Sequence, residues 1–233
     1  MFNRHLIERI RTGNWGSFLA EIVIVMVGVF LGLQVDTWND ARKASIEERY
    51  YIERLLNELD ESITRLDRSI ADGHRIVSAT RRAQQAIRAN SVDIEKPEKF
   101  ISDFLSITWM IEVDIVDGAI EELRTTGRLG VIGNTQIREA LSRYYRTLES
   151  ARSQEEISNQ GWILAINDIY RRVDVVMETD QDVWVDASSL NGDLQVARGL
   201  FIASLYEASQ LASLEKLRSE TEVIRTLIMN VVH

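Results

Sequence analysis

Apolar residues fall in two patterns along this chain: one unbroken run near the start, and thereafter a recurrence every three or four positions. The run is Phe18 to Val35, FLAEIVIVMVGVFLGLQV, in which only Glu21 and Gln34 are strongly polar. A helix rises about 1.5 Å per residue, so about 20 apolar residues cross a hydrocarbon core of about 30 Å. Trp15 and Trp38 stand just outside the two ends, where indole rings settle in the headgroup zone. A buried core helix and a cleaved signal peptide are the competing readings. The flanking tryptophans count against the first, and Leu33-Gln34-Val35-Asp36 lacks the small residues of a cleavage site. The expectation is a transmembrane helix over residues 18–38, preceded by a tail over 1–17 and followed by a helical domain over 39–233, outside the membrane.

Steps of about 100° place Ser17, Glu21, Val25, Gly28, Gly32 and Asn39 on one face of that helix. Gly28 and Gly32 form a GxxxG pair, which lets a second helix approach closely. A carboxyl at Glu21 is costly against lipid and is expected to face protein or headgroups. Chance occurrence of GxxxG and snorkelling of Glu21 are the plainer explanations. The face is nevertheless the natural place for contact with a second copy or another span. Arg4, Arg9 and Arg11 precede the run, and Arg42, Lys43 and Arg49 follow it, so positive charge alone does not orient it. The membrane potential opposes export of a three-arginine tail, which favours a cytoplasmic N-terminus and an extracytoplasmic domain in a bacterial inner membrane.

Beyond the span, Ile52, Leu56, Leu59, Ile63, Leu66, Ile70 and Val77 keep a four-three rhythm, predicting a helix from Ala41 to about Ala89. No breaker separates it from the span, so the two are expected to form one rod of roughly 90 Å. Asn90 to Pro97 breaks the pattern. Short helices are expected after Pro97, ending near Trp109, and at Ile120 to Thr126. Met110 to Val116 is β-branched, yet nothing nearby offers it a strand partner. A long helix is predicted from Thr135 to about Val176 along Ile137, Leu141, Tyr144, Leu148, Ala151, Ser158, Trp162, Ala165, Ile169 and Val173, with Glu155 as a polar misfit. Glu178 to Ser189 reads as a loop. The last helix is expected from about Leu190–Asp193, its seam passing through Leu194, Ala197, Phe201, Leu205 and Ala208. It then shifts register to Leu214, Leu217, Ile224, Ile228 and Val231. Glu207 and Gln210 argue against a second span there. The fold expected is all-α: three long helices alternating in direction in an elongated bundle about 60 Å long, with short connecting helices. If the second long helix returns to the membrane, the Glu178–Ser189 loop lies at the lipid surface and Trp184 becomes an interfacial anchor.

Composition narrows the function classes. Of 233 residues, 27 are basic and 36 acidic, a net charge of −9 without a basic stripe, which argues against a nucleic-acid partner. The absence of cysteine excludes disulfides, thiol catalysis and thiolate metal sites. His5, His74 and His233 are scattered and form no HExxH. Gly127, Gly130 and Gly133 lack Rossmann spacing, and there is no P-loop and no GxSxG. The acids Asp114, Asp117, Glu121 and Glu122, and Asp180, Asp182 and Asp186, are a hard-cation option, explained more simply as solvated groups. No enzyme, cofactor or metal is expected.

Two segments together resemble a family of bacterial single-pass membrane proteins whose domain has no assigned function. They are Glu21 to Asn39, EIVIVMVGVFLGLQVDTWN, and Ile120 to Tyr145, IEELRTTGRLGVIGNTQIREALSRYY. The order and length agree over most of the chain, although Ala20 stands where the family has glycine and Gly32 where alanine is usual. The resemblance implies an N-terminal span and a helical domain, and carries no catalytic residue. The function expected is a membrane-anchored structural or interaction protein that self-associates or docks onto a membrane complex. The alternative is a sensor-like bundle with a ligand pocket near Trp109, Trp162 or the Tyr144-Tyr145 pair.

Overall fold

The structure, a computed structural model, describes residues 15–173, 175–177 and 183–232. The protein is helical, with one long apolar helix near its N-terminus. In chain order come α1 (Trp15–Arg88), α2 (Glu98–Leu105), α3 (Gly118–Thr125), α4 (Thr135–Tyr170) and α5 (Leu194–Val232). Single 3-10 turns lie at Ser106–Thr108 and Leu129–Val131. The chain divides between Tyr50 and Tyr51 into two compact units.

The first unit contains the apolar stretch, wholly helical, with its large side chains exposed from Phe18 to Val35. In the second unit, α1 stops where Asn90 takes a positive φ of 52°. The Ser91 N–H then reaches back to the Ala86 carbonyl at 3.0 Å, the left-handed ending of a helix. Asn134 caps α4, its side chain accepting from the Gln136 and Ile137 amides at 2.8 and 3.1 Å. Asp193 does the same for α5 with Gln195 and Val196 at 2.8 and 3.1 Å. Short polar side chains at these positions satisfy amides that the first helical turn leaves without partners.

Between α2 and α3 the chain returns along α1 as a strap. Going down α1, Arg82 pairs with Asp103, Thr80 faces Ser106, Arg65 pairs with Asp114 and Ser62 holds Val116. The strap is equally bound to α4: the Trp162 indole donates to the Ile107 carbonyl at 2.9 Å, Glu155 accepts from the Val113 amide at 2.9 Å, and Arg152 reaches Asp117 at 2.8 Å. The strap therefore makes the return journey. Helix α4 runs the same way as α1, and α5 runs back against both, with Arg225 on Asp60, Arg218 on Asp67 and Glu215 on His74. The alternation of the three long helices expected from sequence is corrected accordingly. A connection the sequence marks only as lacking a strand partner is long enough to cross the unit.

That correction carries the segment before α5 to the other end. A two-stranded antiparallel hairpin pairs β1 (Val175–Met177), at the expected end of α4, with β2 (Val183–Val185), inside the expected loop, and α4 stops at Tyr170. Val185 and Leu190 pack in one cluster with Ile87 and Val92, and the Gly192 amide donates to the Ile87 carbonyl at 3.1 Å. The hairpin thus lies at the pole of this unit opposite Tyr51. Four β-branched valines, Val175 and Val176 on β1 and Val183 and Val185 on β2, are the signal for this hairpin.

The core forms two apolar clusters. One joins Leu59 and Leu66 to Leu141, Leu148, Leu214 and Leu217, and the other joins Ala83 and Ile87 to Ala165, Ile169, Leu200 and Ala203. Two glycines set the approach of α4 to α5. A Cβ on Gly161 would stand 2.2 Å from the Tyr206 ring, and one on Gly199 2.6 Å from Ile169 Cγ1.

Gly199→Ala tests this packing. Alanine favours an isolated helix by up to about 1 kcal/mol, but Ile169 is fully buried and has no room to yield. We expect a net loss of about 1–2 kcal/mol, read as a lower denaturation midpoint in mild detergent.

Candidate functional site

Two places concentrate chemistry that ordinary folding does not consume: the bare apolar helix of the first unit and a polar layer inside the second. Around the first, the expected packing face is open. Nothing lies within 4 Å of a Cβ built on Gly28 or Gly32, and Glu21 and Val25 are exposed, as are Trp15 and Trp38. The side chains of Ser17 and Trp184 lie outside the described residues, as do Arg4, Arg9, Arg11, His5, Asp180, Asp182 and His233. By length and composition this helix is the one among the described residues able to cross a membrane.

Within the second unit, the buried side of α5 runs Val196, Leu200, Ala203, Glu207, Gln210, Leu214, Leu217, Thr221, Ile224 and Ile228. This is a strict four-three rhythm without interruption. The register shift expected from sequence does not occur. Phe201 and Leu205, assigned to that seam for their apolarity, are 49% and 50% exposed, while Glu207 and Gln210 are 5% and 2% exposed. Counting backwards from Ile228 in fours and threes lands on both polar residues, and this is the signal that an apolar reading passes over.

Glu207 and Gln210 face the gap between the two apolar clusters. Ser158 closes one side, its hydroxyl donating to the Tyr206 carbonyl at 3.2 Å and accepting from Gln154 at 3.0 Å. A cavity of about 10 Å³ is left, bordered by these residues together with Asn159, Trp162, Met110 and Ile111. Trp162, expected as part of a possible pocket, does line it. Tyr144 is instead sealed in the core, where burial pushes its hydroxyl up to about 12. Tyr145 lies under the Arg124 guanidinium, 4.3 Å from its ring centre. Neither oxygen of Glu207 and neither polar atom of the Gln210 amide has a hydrogen-bond partner. Burial pushes the Glu207 carboxyl up to about 8; the Thr80 hydroxyl pulls the other way but completes no bond to it.

The acidic cluster at Asp114 to Glu122 is spoken for. Asp114 and Asp117 hold Arg65 and Arg152, each at 2.8 Å, and Glu121 holds Arg124 at 2.9 Å. Glu122 takes Arg54 and, at 2.8 Å, the Tyr51 hydroxyl, and these bonds hold its carboxyl below the usual range. Asp186 accepts from the Ser188 hydroxyl at 2.6 Å and is likewise lowered. His74 Nε2 lies 3.1 Å from Glu215. No three metal-ligating side chains converge among the described residues.

No family model, no curated protein and no solved structure matches the chain.

The Glu207 carboxyl makes a pH prediction. Its folded pKa lies above the unfolded value of 4.5, so between about pH 5 and 8 the folded state keeps a proton that the unfolded chain has lost. Stability then falls as pH rises through that window, and the penalty is complete above pH 8. At about 1.4 kcal/mol per unit, discounted for relaxation of the site, the wild type should lose about 2–4 kcal/mol. Glu207→Gln should flatten the slope and become the more stable protein near pH 8. Denaturation midpoints of the two proteins at both ends of the window check this.

Proposed function

We propose that this protein is a membrane-anchored helical structural or interaction protein, self-associating or docking onto a membrane complex through its apolar helix. The observation that carries the reading is the bare stretch from Phe18 to Val35, whose large apolar side chains are left exposed by the described residues. So much exposed apolar surface calls for lipid or protein to cover it. Lipid covers most of it at no cost. The face with Glu21, Gly28 and Gly32 is different, because two adjacent glycines give lipid little to contact and give a helix backbone close access.

The reading extends to the finer architecture and location. The long helices of the second unit form an elongated bundle with the strap as a fourth member, supported by the ion pairs and the shared core that join α1, α4 and α5. The span lies in a bacterial inner membrane with the N-terminal tail inside and the helical domain outside, on the charge argument for the three arginines. The resemblance to single-pass membrane proteins of unassigned function belongs to the same proposal. A sensor-like ligand-binding bundle has less support, because ligand sites usually enclose about 300–1,000 Å³ and the polar cavity beside Trp162 is about 10 Å³.

Replacing both Gly28 and Gly32 by leucine should lower the copy number seen by native mass spectrometry in mild detergent. It should raise the dissociation constant about tenfold or more, the worth of roughly 1–2 kcal/mol of close helix packing. An unchanged copy number, with no protein co-purifying with the wild type alone, would remove the glycine face as the contact.

A further inference from the structure

The buried polar layer is not explained by anchoring. Burying a carboxyl and an amide without partners costs several kcal/mol, and an apolar seam would have been cheaper. The other buried polar side chains of this unit illustrate the contrast: Ser62 is bonded to Val116 on both sides, Ser204 to the Phe201 carbonyl and Thr221 to the Leu217 carbonyl. Among the described residues the Tyr144 hydroxyl is a lone orphan, whereas at the cavity four such atoms gather: both oxygens of Glu207 and both polar atoms of the Gln210 amide. A space of about 10 Å³ is the room needed by one water-sized guest.

What guest fits follows from charge. The groups facing Glu207 are Thr80 from α1, Met110 and Ile111 from the strap, and Ser158, Asn159 and Trp162 from α4. None carries a charge, so the ionised carboxylate lacks a counter-charge from the protein. A water molecule would serve the protonated acid and leave that deficit once the proton is lost. A divalent cation takes six or more oxygen ligands, more than this wall supplies, since the Ser158 oxygen is already engaged on both sides. A compact cation that donates hydrogen bonds and tolerates an aromatic neighbour meets the conditions.

We propose that the cavity binds one primary ammonium group, free ammonium or the amine head of a small molecule, between Glu207, Gln210 and the Trp162 indole. Glu207 releases its proton to solvent as the cation enters and accepts the ammonium N–H groups as a carboxylate. The Gln210 carbonyl accepts another. Met110, half-exposed on the strap, forms the outer wall, past which the tail of a larger amine would leave.

The test is thermal unfolding of the full chain in mild detergent, in ammonium-free buffer near pH 8, with added salts at matched ionic strength. Ammonium chloride at about ten times its dissociation constant should raise the midpoint by about 2–5 °C over sodium chloride, and the rise should shrink towards about pH 6. If ethylammonium chloride does the same, the site takes an amine head; if ammonium alone does, it takes the free ion. Glu207→Gln should fold and lose the response, and Gln210→Leu, which leaves the carboxylate in place, should weaken it. The proposal is overturned if ammonium acts no more strongly than sodium, if potassium matches it, or if Glu207→Gln still responds.

Discussion

An extended segment inside a helical protein has no ladder to pair with, and its backbone groups must still find partners. That constraint shapes the second unit. The strap between α2 and α3 is held by side chains sent from both neighbouring helices: the Ser62 hydroxyl donates to and accepts from Val116, Glu155 receives the Val113 amide and Trp162 donates to the Ile107 carbonyl, while Glu58 receives the Ala119 amide where α3 begins. With the strap fixed, α4 is obliged to start at the Tyr51 end, and the direction of every later element follows.

The same constraint explains which residues of the seams look wrong on hydrophobicity alone. Ser62 and Thr80 are fully buried in the core line of α1, and Gly73 lies on it too. A Cβ at Gly73 would meet Ile111 of the strap and Leu211 of α5, each at 3.0 Å. Small and polar residues make the groove in which the strap lies. Glu155, out of place in an apolar seam, is a backbone acceptor for it.

The elements were largely legible in the sequence because helix boundaries depend on local chemistry. Asn90, Pro97, Asn134 and Asp193 mark ends that the structure keeps to within a few residues. The seam of α4 was legible as well, since its apolar rhythm is broken only at Glu155 and Ser158. Direction was not, because nothing local in Met110 to Val116 says that it spans a whole unit. The polar cavity was hidden for another reason. Placing Phe201 and Leu205 inside trades periodicity for hydrophobicity, whereas the folded chain keeps the periodicity and buries Glu207 and Gln210. About nine turns of helix held in register, Val196 to Ile228, outweigh one misplaced carboxyl, particularly one that can keep its proton.

Helix α5 brings the chain back to the pole at which Tyr51 enters: Ile228 shares a cluster with Tyr51, and Arg225 with Asp60. The start of this unit and the end of α5 therefore lie side by side, while the opposite pole holds Ile87, the Val92 turn and the paired strands β1 and β2. Both ends of the second unit's helical path thus open at one pole, and tension applied there would part α5 from α1 along their ion pairs before it reached the strap.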